Sequence, residues 1–360
     1  MALAVPAWAA EAPVLKELKG PERERVERLI RAAKREGAFL WTTNLAPVKA
    51  AKELEKAFKA RYGLQGLRVS FSNRRSGTVI KRVEEEIRAG KVGTDLVILA
   101  TAAWLHSMKR RGELLKYNSP EDKHYGPAAK ARMNAPGYWV ADAQINTIAW
   151  NPKLTGPFKV TSWYDLLNPR FKGKIVVGDA TGSETYTFWY MGLRKVLPKS
   201  YFEKLAAQGT GLLRRGSAQR RALITGEYWL GTTIMARHNW IARLRGARLE
   251  PAYPKEGVVA LPIGSVILAK APHPNVAKLF VDFWRSARGK HILLSHNPIN
   301  VGYANLPPHP DPEINELVLG KIAPPIEKLN IIPIEWDKLT PKDVKKWRAE
   351  FVSILARRKR

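Results

Sequence analysis

A chain of 360 residues, 45% of them hydrophobic and twelve of them Trp, exceeds what one core usually organises and predicts a well-buried protein of two lobes. Sixty-one Lys and Arg against 32 Asp and Glu leave a net charge of +29, dispersed except for the ARRKR run at Ala356–Arg360. The lack of Cys excludes disulfides, thiolate metal sites and a Cys nucleophile. Without zinc-finger spacing, an RNP-type aromatic pattern or a basic heptad region, no nucleic-acid partner is expected, and no apolar run reaches the ~18 residues of a membrane span.

The opening MALAVPAWAAEAP, with Ala7-Trp8-Ala9 ahead of Ala10-Glu11, resembles the tail of a secretory signal and its cleavage site. Residues 1–30 are therefore read as a signal remnant and the start of a helix, in an exported chain. Pro21–Gly37 shows helical spacing, with Val26, Leu29, Ile30 and Ala33 on one face. Phe39–Trp41 begins a strand that breaks at Thr42-Thr43-Asn44, and a helix follows over Val48–Arg61. Leu67–Phe71 reads as a second strand, followed by Ser72–Thr78 and a helix through Ile87. Asp95–Leu99 is wholly apolar after its first residue, as in a strand covered on both faces, and Thr101–Met108 opens the next helix. The alternation predicts a parallel α/β lobe.

Tyr138–Trp150 reads as a long strand, Ser162–Pro169 as a short capped helix, and Gly173–Tyr190 (GKIVVGDATGSETYTFWY) as a strand, a small-residue turn and a helix start. Helical pieces are expected at Tyr201–Gln208, Ser217–Gly226 and Arg237–Arg245, with a strand near Leu230–Ile234. Val258–Lys270 forms a second long strand, leading to helices at Asn275–Ser286, Arg288–Ser295 and, after Pro-rich connectors, Pro341–Leu355. The two long strands bracket an inserted segment, so lobe 1 is read as 31–143 and the return segment with C-terminal helices, 258–360, while lobe 2 is 144–257.

Strand-to-helix junctions expose backbone N–H groups and the positive end of the helix dipole, which suits an anion or a polar small molecule. In the first lobe these junctions hold Thr42, Thr43, Asn44, Arg74, Arg75, Ser76, Gly77, Thr78 and Thr101. In the second they hold Asp179, Thr181, Gly182, Ser183 and Thr185. Arg74 or Arg75 offers two parallel hydrogen bonds to a carboxylate or phosphonate, and Trp41, Trp104 or Tyr186 offers apolar contact. Asp179 either accepts from a ligand amine or braces its own loop. Glu256 either orients site groups or turns the chain. No G-x-S-x-G, H-E-x-x-H or G-x-x-x-x-G-K motif gathers catalytic groups, so no enzyme activity and no cofactor are expected.

Five stretches resemble the periplasmic solute-binding proteins of ABC importers, in the type II branch that holds ferric-ion and organic-anion binders. They are AAKREG (Ala32–Gly37), RRSGTVIKRVEEEIRAGKVGTDLVIL (Arg74–Leu99), SWYDLLNPRFKGKIVVGD (Ser162–Asp179), Glu256-Gly257 and KAPHPNVAKLFVDFWRSARGK (Lys270–Lys290). The resemblance implies an α/β fold of two lobes, each a mostly parallel sheet flanked by helices, joined by a two-strand hinge that closes on one ligand. It also implies a monomer that delivers its ligand to the transmembrane subunits of a permease. The iron-binding relatives use two adjacent tyrosines where His238 and Asn239 stand here, and neither offers the hard anionic oxygen Fe(III) prefers. No metal site is assigned, and a small organic anion is the expected ligand.

Overall fold

The computed structural model describes residues 11–130 and 133–356; the predicted cleavage site at Ala7-Trp8-Ala9 and most of the final basic run lie outside them. In chain order the elements are α1 (Gly20–Glu36), β1 (Ala38–Thr43), α2 (Val48–Tyr62), β2 (Arg68–Asn73), α3 (Ser76–Arg88), β3 (Leu96–Leu99) and α4 (Ala102–Arg110). A short α5 (Pro127–Lys130) precedes β4 (Asp142–Trp150), α6 (Pro152–Thr155), β5 (Ile175–Gly178), α7 (Glu184–Leu193), α8 (Lys199–Ala207) and β6 (Gly211–Leu213). There follow α9 (Gly216–Thr225), β7 (Leu230–Met235), α10 (Ala236–Arg243), β8 (Glu250–Ala252), β9 (Val259–Ile267), α11 (Pro274–Arg285), α12 (Ala287–His296) and α13 (Pro341–Ala356).

The described residues fall into two compact units. The first takes them from Met1–Tyr125, Ala135–Val140 and Ile263–Asn297, and the second from Gly126–Asn134, Ala141–Pro262 and Pro298–Arg360. Both are α/β, with mostly parallel strands flanked by helices. In the first, β1 pairs in parallel with β2 and with β3, while β3 pairs antiparallel with the end of β9. In the second, β5 pairs in parallel with β6 and β7, and β4 pairs antiparallel with β7 and β8.

Apolar spacing explains most of these elements. Val26, Ile30 and Ala33 of α1 are buried as one face, and every residue of β3 and β5 is buried, as strands covered on both sides must be. In the first unit Trp41, Phe39 and Phe58 all pack on Phe280 of α11, with ring centroids 4.9–5.2 Å apart. Trp41 is thus a core residue and no contact platform. In the second unit Phe351 of α13 stacks on Tyr190 of α7 at 4.5 Å and 8° between planes.

Four readings need correction. Residues 298–360 join the second unit, because α13 lays its apolar face on α7 and α8. The strand expected from Tyr138 starts only at Asp142, since Ala135 and Trp139 pair across a tight turn and Arg285 Nη2 donates to Tyr138 O (3.2 Å). The capped helix at Ser162–Pro169 consists of two 3₁₀ turns, Trp163–Leu167 and Pro169–Phe171. The Pro-rich connector holds a π-helical stretch, Ile314–Ile322, whose Ile314, Val318 and Ile322 are buried.

Asp95 ties the first unit together from a fully buried position. Its Oδ2 accepts from Leu40 N at 2.7 Å and lies 3.0 Å from His273 Nδ1, while Oδ1 accepts from His273 N at 2.7 Å, just ahead of α11. Asp95→Ala leaves these part-buried donors without that partner, so we expect a loss of roughly 3 kcal/mol. Urea unfolding checks this: the midpoint should fall with an unchanged slope, and an unchanged midpoint would refute the role.

Candidate functional site

Parallel pairing brings successive loops to one edge of each sheet. In the first unit β1, β2 and β3 run in the same direction, so Thr43-Asn44, Arg74–Thr78 and Ala100-Thr101 emerge at a common edge. Thr42 and Thr43 are buried, and their hydroxyls donate to Ser72 O (3.1 Å) and Ile98 O (2.7 Å), which makes them braces of that edge. Asn44 Nδ2 donates to Ser76 Oγ (2.9 Å), but its Oδ1 is buried with no partner. Thr101, the residue before α4, likewise has a buried hydroxyl that neither caps the helix nor finds another group. Arg74 and Arg75 are exposed, as are Gly77 and Thr78. Trp104 Nε1 donates to Glu84 Oε1 (2.7 Å), which ties that ring to α3.

In the second unit the parallel strands β5, β6 and β7 deliver the loops 179–183, 214–216 and the start of α10 to one edge. Asp179 braces its own loop: Oδ1 accepts from Thr181 N (2.9 Å) and Thr181 Oγ1 (2.7 Å). Gly182 is required by close approach, because a Cβ there would strike the backbone and Cβ of Arg214. Ser183 immediately precedes α7 and makes no side-chain cap bond, which keeps its hydroxyl available; Thr185 is half-buried one residue into the helix. Tyr186 lies against Gly178, accepts from Gln219 Nε2 (3.2 Å), and through Gln219 is linked to Thr233 (2.9 Å).

His238 is buried, and its Nδ1 lies 3.4 Å from Arg220 Nη1, so the ring accepts there and carries its proton on Nε2. Its Nε2 sits where a Cβ at residue 216 would be, which only Gly216 permits. Burial first, then the positive charges of Arg237 and Arg220, push the His238 pKa well below its ordinary 6.5. Asn239 is 1% exposed, and both its amide atoms lack a hydrogen-bond partner. Glu256 is remote in role: Oε1 accepts from Ser162 Oγ (2.5 Å) and Oε2 from Trp163 N (3.1 Å), fixing a turn.

Sequence reasoning missed three groups in the second unit. Arg237, at the start of α10, is half-buried and has no carboxylate partner among the described residues, and burial lowers its pKa with further help from Arg220. Asn146 of β4, level with Met235 of β7, is 1% exposed with both amide atoms unpartnered. Thr232 of β7 has a buried hydroxyl in the same condition. A polar Asn inside a fully buried strand was the available signal for Asn146. Among the described residues no three His, Asp or Glu side chains come together to hold a metal.

The profile of a family described as bacterial extracellular solute-binding protein matches residues 43–296. Solved structures similar to this chain include the periplasmic binding protein AfuA from Actinobacillus pleuropneumoniae with fructose-6-phosphate bound, at 22% identity and TM-score 0.68, covering 89% of this chain and 99% of that one. The periplasmic binding protein P5PA matches at 20% identity and TM-score 0.66, with coverage of 89% and 99%. Iron-bound HitA from Pseudomonas aeruginosa matches at 18% identity and TM-score 0.64, with coverage of 89% and 99%. No curated protein matches the sequence.

Because His238 has a depressed pKa when folded, it takes up protons on unfolding. Stability is therefore complete above pH ~6.5 and falls as pH drops below that value. We expect His238→Gln to make stability less sensitive to acid between pH 7.5 and 5.5. Parallel urea titrations of both proteins check it, and equal pH slopes would contradict a neutral, desolvated ring.

Proposed function

The chain belongs to the bacterial extracellular solute-binding protein family, and from that membership we propose that it captures a small organic anion for an ABC uptake system in the periplasm. The bound solute would then be handed to the transmembrane subunits of the permease. The observation that carries the reading is a set of buried polar atoms without partners at the carboxyl edges of both sheets: Asn44 Oδ1, Thr101 Oγ1 and the Asn239 amide. Buried polar groups are nearly always hydrogen-bonded, and leaving one unmet costs roughly 1–3 kcal/mol. Such groups at the strand ends of each unit, where ligands of α/β proteins sit, favour a polar solute as partner.

Charge favours an anion. Arg74, Arg75, Arg214, Arg220 and Arg237 stand on or beside these loops, whereas Asp179 is engaged with Thr181. Ser183, Thr185 and the first amides of α7 add donors without charge. The sugar phosphate in AfuA shows that a related fold accommodates such a ligand. A ferric-ion carrier is the runner-up, since HitA holds iron, but His238 and Asn239 supply no anionic oxygen. No catalytic step is proposed for the chain.

A thermal-shift screen against carboxylates, phosphate esters, phosphonates, amino acids, polyamines and Fe(III) tests this reading. An organic anion at 100 times its dissociation constant should add about 2.7 kcal/mol of stability. Arg74→Ala, Arg75→Ala and Ser183→Ala should each weaken that response while the ligand-free melting temperature holds. A response to Fe(III) or polyamines alone would overturn it.

A further inference from the structure

The second unit carries a positive charge that no carboxylate among the described residues neutralises. Arg237 is the second residue of α10, which follows β7 directly, on the sheet edge where β5 and β6 also end. It makes no ion pair among the described residues; the Tyr186 hydroxyl is the group that favours its charge, and Arg220 opposes it. Arg220 also stands without a carboxylate among the described residues and has the neutral His238 ring within bonding distance, at 3.4 Å. Elsewhere in the chain a deeply placed guanidinium is compensated: Arg285, 1% exposed, meets Asp122 at 2.7 Å and the carbonyls of Tyr138 and Ser265. A buried charge left unpaired is strongly unfavourable, so an external anion is the natural complement of Arg237.

We propose that Arg237 is the residue that recognises the solute's charged group, and that this group is phosphoryl in type, a phosphate monoester or a phosphonate, held on the second unit. This rests on the solute-binding reading above and narrows it. Three helices of eight to ten residues, α7, α9 and α10, present their N-termini at this one edge. Their first amides lack partners within each helix, and three such donor sets at one edge match three oxygens on a tetrahedral centre better than the two of a planar carboxylate. Two guanidiniums match a double negative charge. An independent mark lies two residues along α10, where Asn239 is 1% exposed with its Nδ2 and Oδ1 both unpartnered. His238 stays neutral beside the cations and is a hydrogen-bonding group only.

Isothermal titration of the full chain at pH 7.5 with inorganic phosphate, methylphosphonate and acetate tests the assignment. Wild type should bind phosphate and methylphosphonate more tightly than acetate. Arg237→Gln should weaken phosphate at least about thirtyfold. Its ligand-free melting temperature should stay level or rise, because an uncompensated cation has gone; a merely structural arginine would lower it. Arg237→Lys, which keeps the charge, should recover part of the affinity and covers the case in which the Gln variant does not fold. Phosphate binding equal in wild type and Arg237→Gln overturns the role of Arg237 and leaves the anion reading standing. Acetate preferred to phosphate overturns the phosphoryl class alone. A wild type that binds no anion but responds to a polyamine or Fe(III) overturns both readings.

Discussion

Parallel strand pairing is the constraint on which everything else depends. When β5 takes β6 on one side and β7 on the other in the same direction, the three strands must all release their chains at one edge. Each chain then turns into a helix whose first amides have no partner within it. The same geometry holds in the first unit for β1, β2 and β3. Each unit thus acquires an edge rich in donors before any particular side chain is chosen. Side chains then divide into those that brace the edge and those left open.

That division was only partly legible. Strands such as Ile175–Gly178 and Leu96–Leu99 could be read because a short, continuous apolar run between turn residues fits a buried strand and little else. The short edge strands β6 (Gly-Leu-Leu) and β8 (Glu-Pro-Ala) could not, since three residues carry no period. The C-terminal segment went to the wrong unit because Phe351 announces burial without naming its partner, and Tyr190 lies far away in sequence.

Site residues show the same limit. Thr42, Thr43, Asp179 and Glu256 have the right chemistry at the right junctions, yet each is engaged with its own neighbours. Asn44, Thr101 and Ser183 occupy equivalent positions, Asn239 lies three residues past the start of α10, and all four keep polar atoms free of such duties. Nothing local separates the two groups: a Thr that donates to a carbonyl across the sheet reads like a Thr that does not. Arg237 was hidden differently. In a chain with 61 basic residues, a basic residue at a helix start reads as surface, and only the tertiary fold reveals that no carboxylate among the described residues reaches it.

The large positive excess acquires meaning at this point. Dispersed surface charge raises the general potential felt by an approaching anion and speeds encounter, but it is screened within about 8–10 Å at ordinary salt. It therefore brings anions near without choosing among them. Choice requires a charge shielded from water, where a mismatched partner leaves a buried group unmet. Arg237 and the Asn239 amide meet that requirement; exposed Arg74 and Arg75 do not. The proposed division of labour follows from burial: exposed arginines strengthen the attraction for anions in a salt-sensitive way, and the half-buried Arg237 discriminates among them.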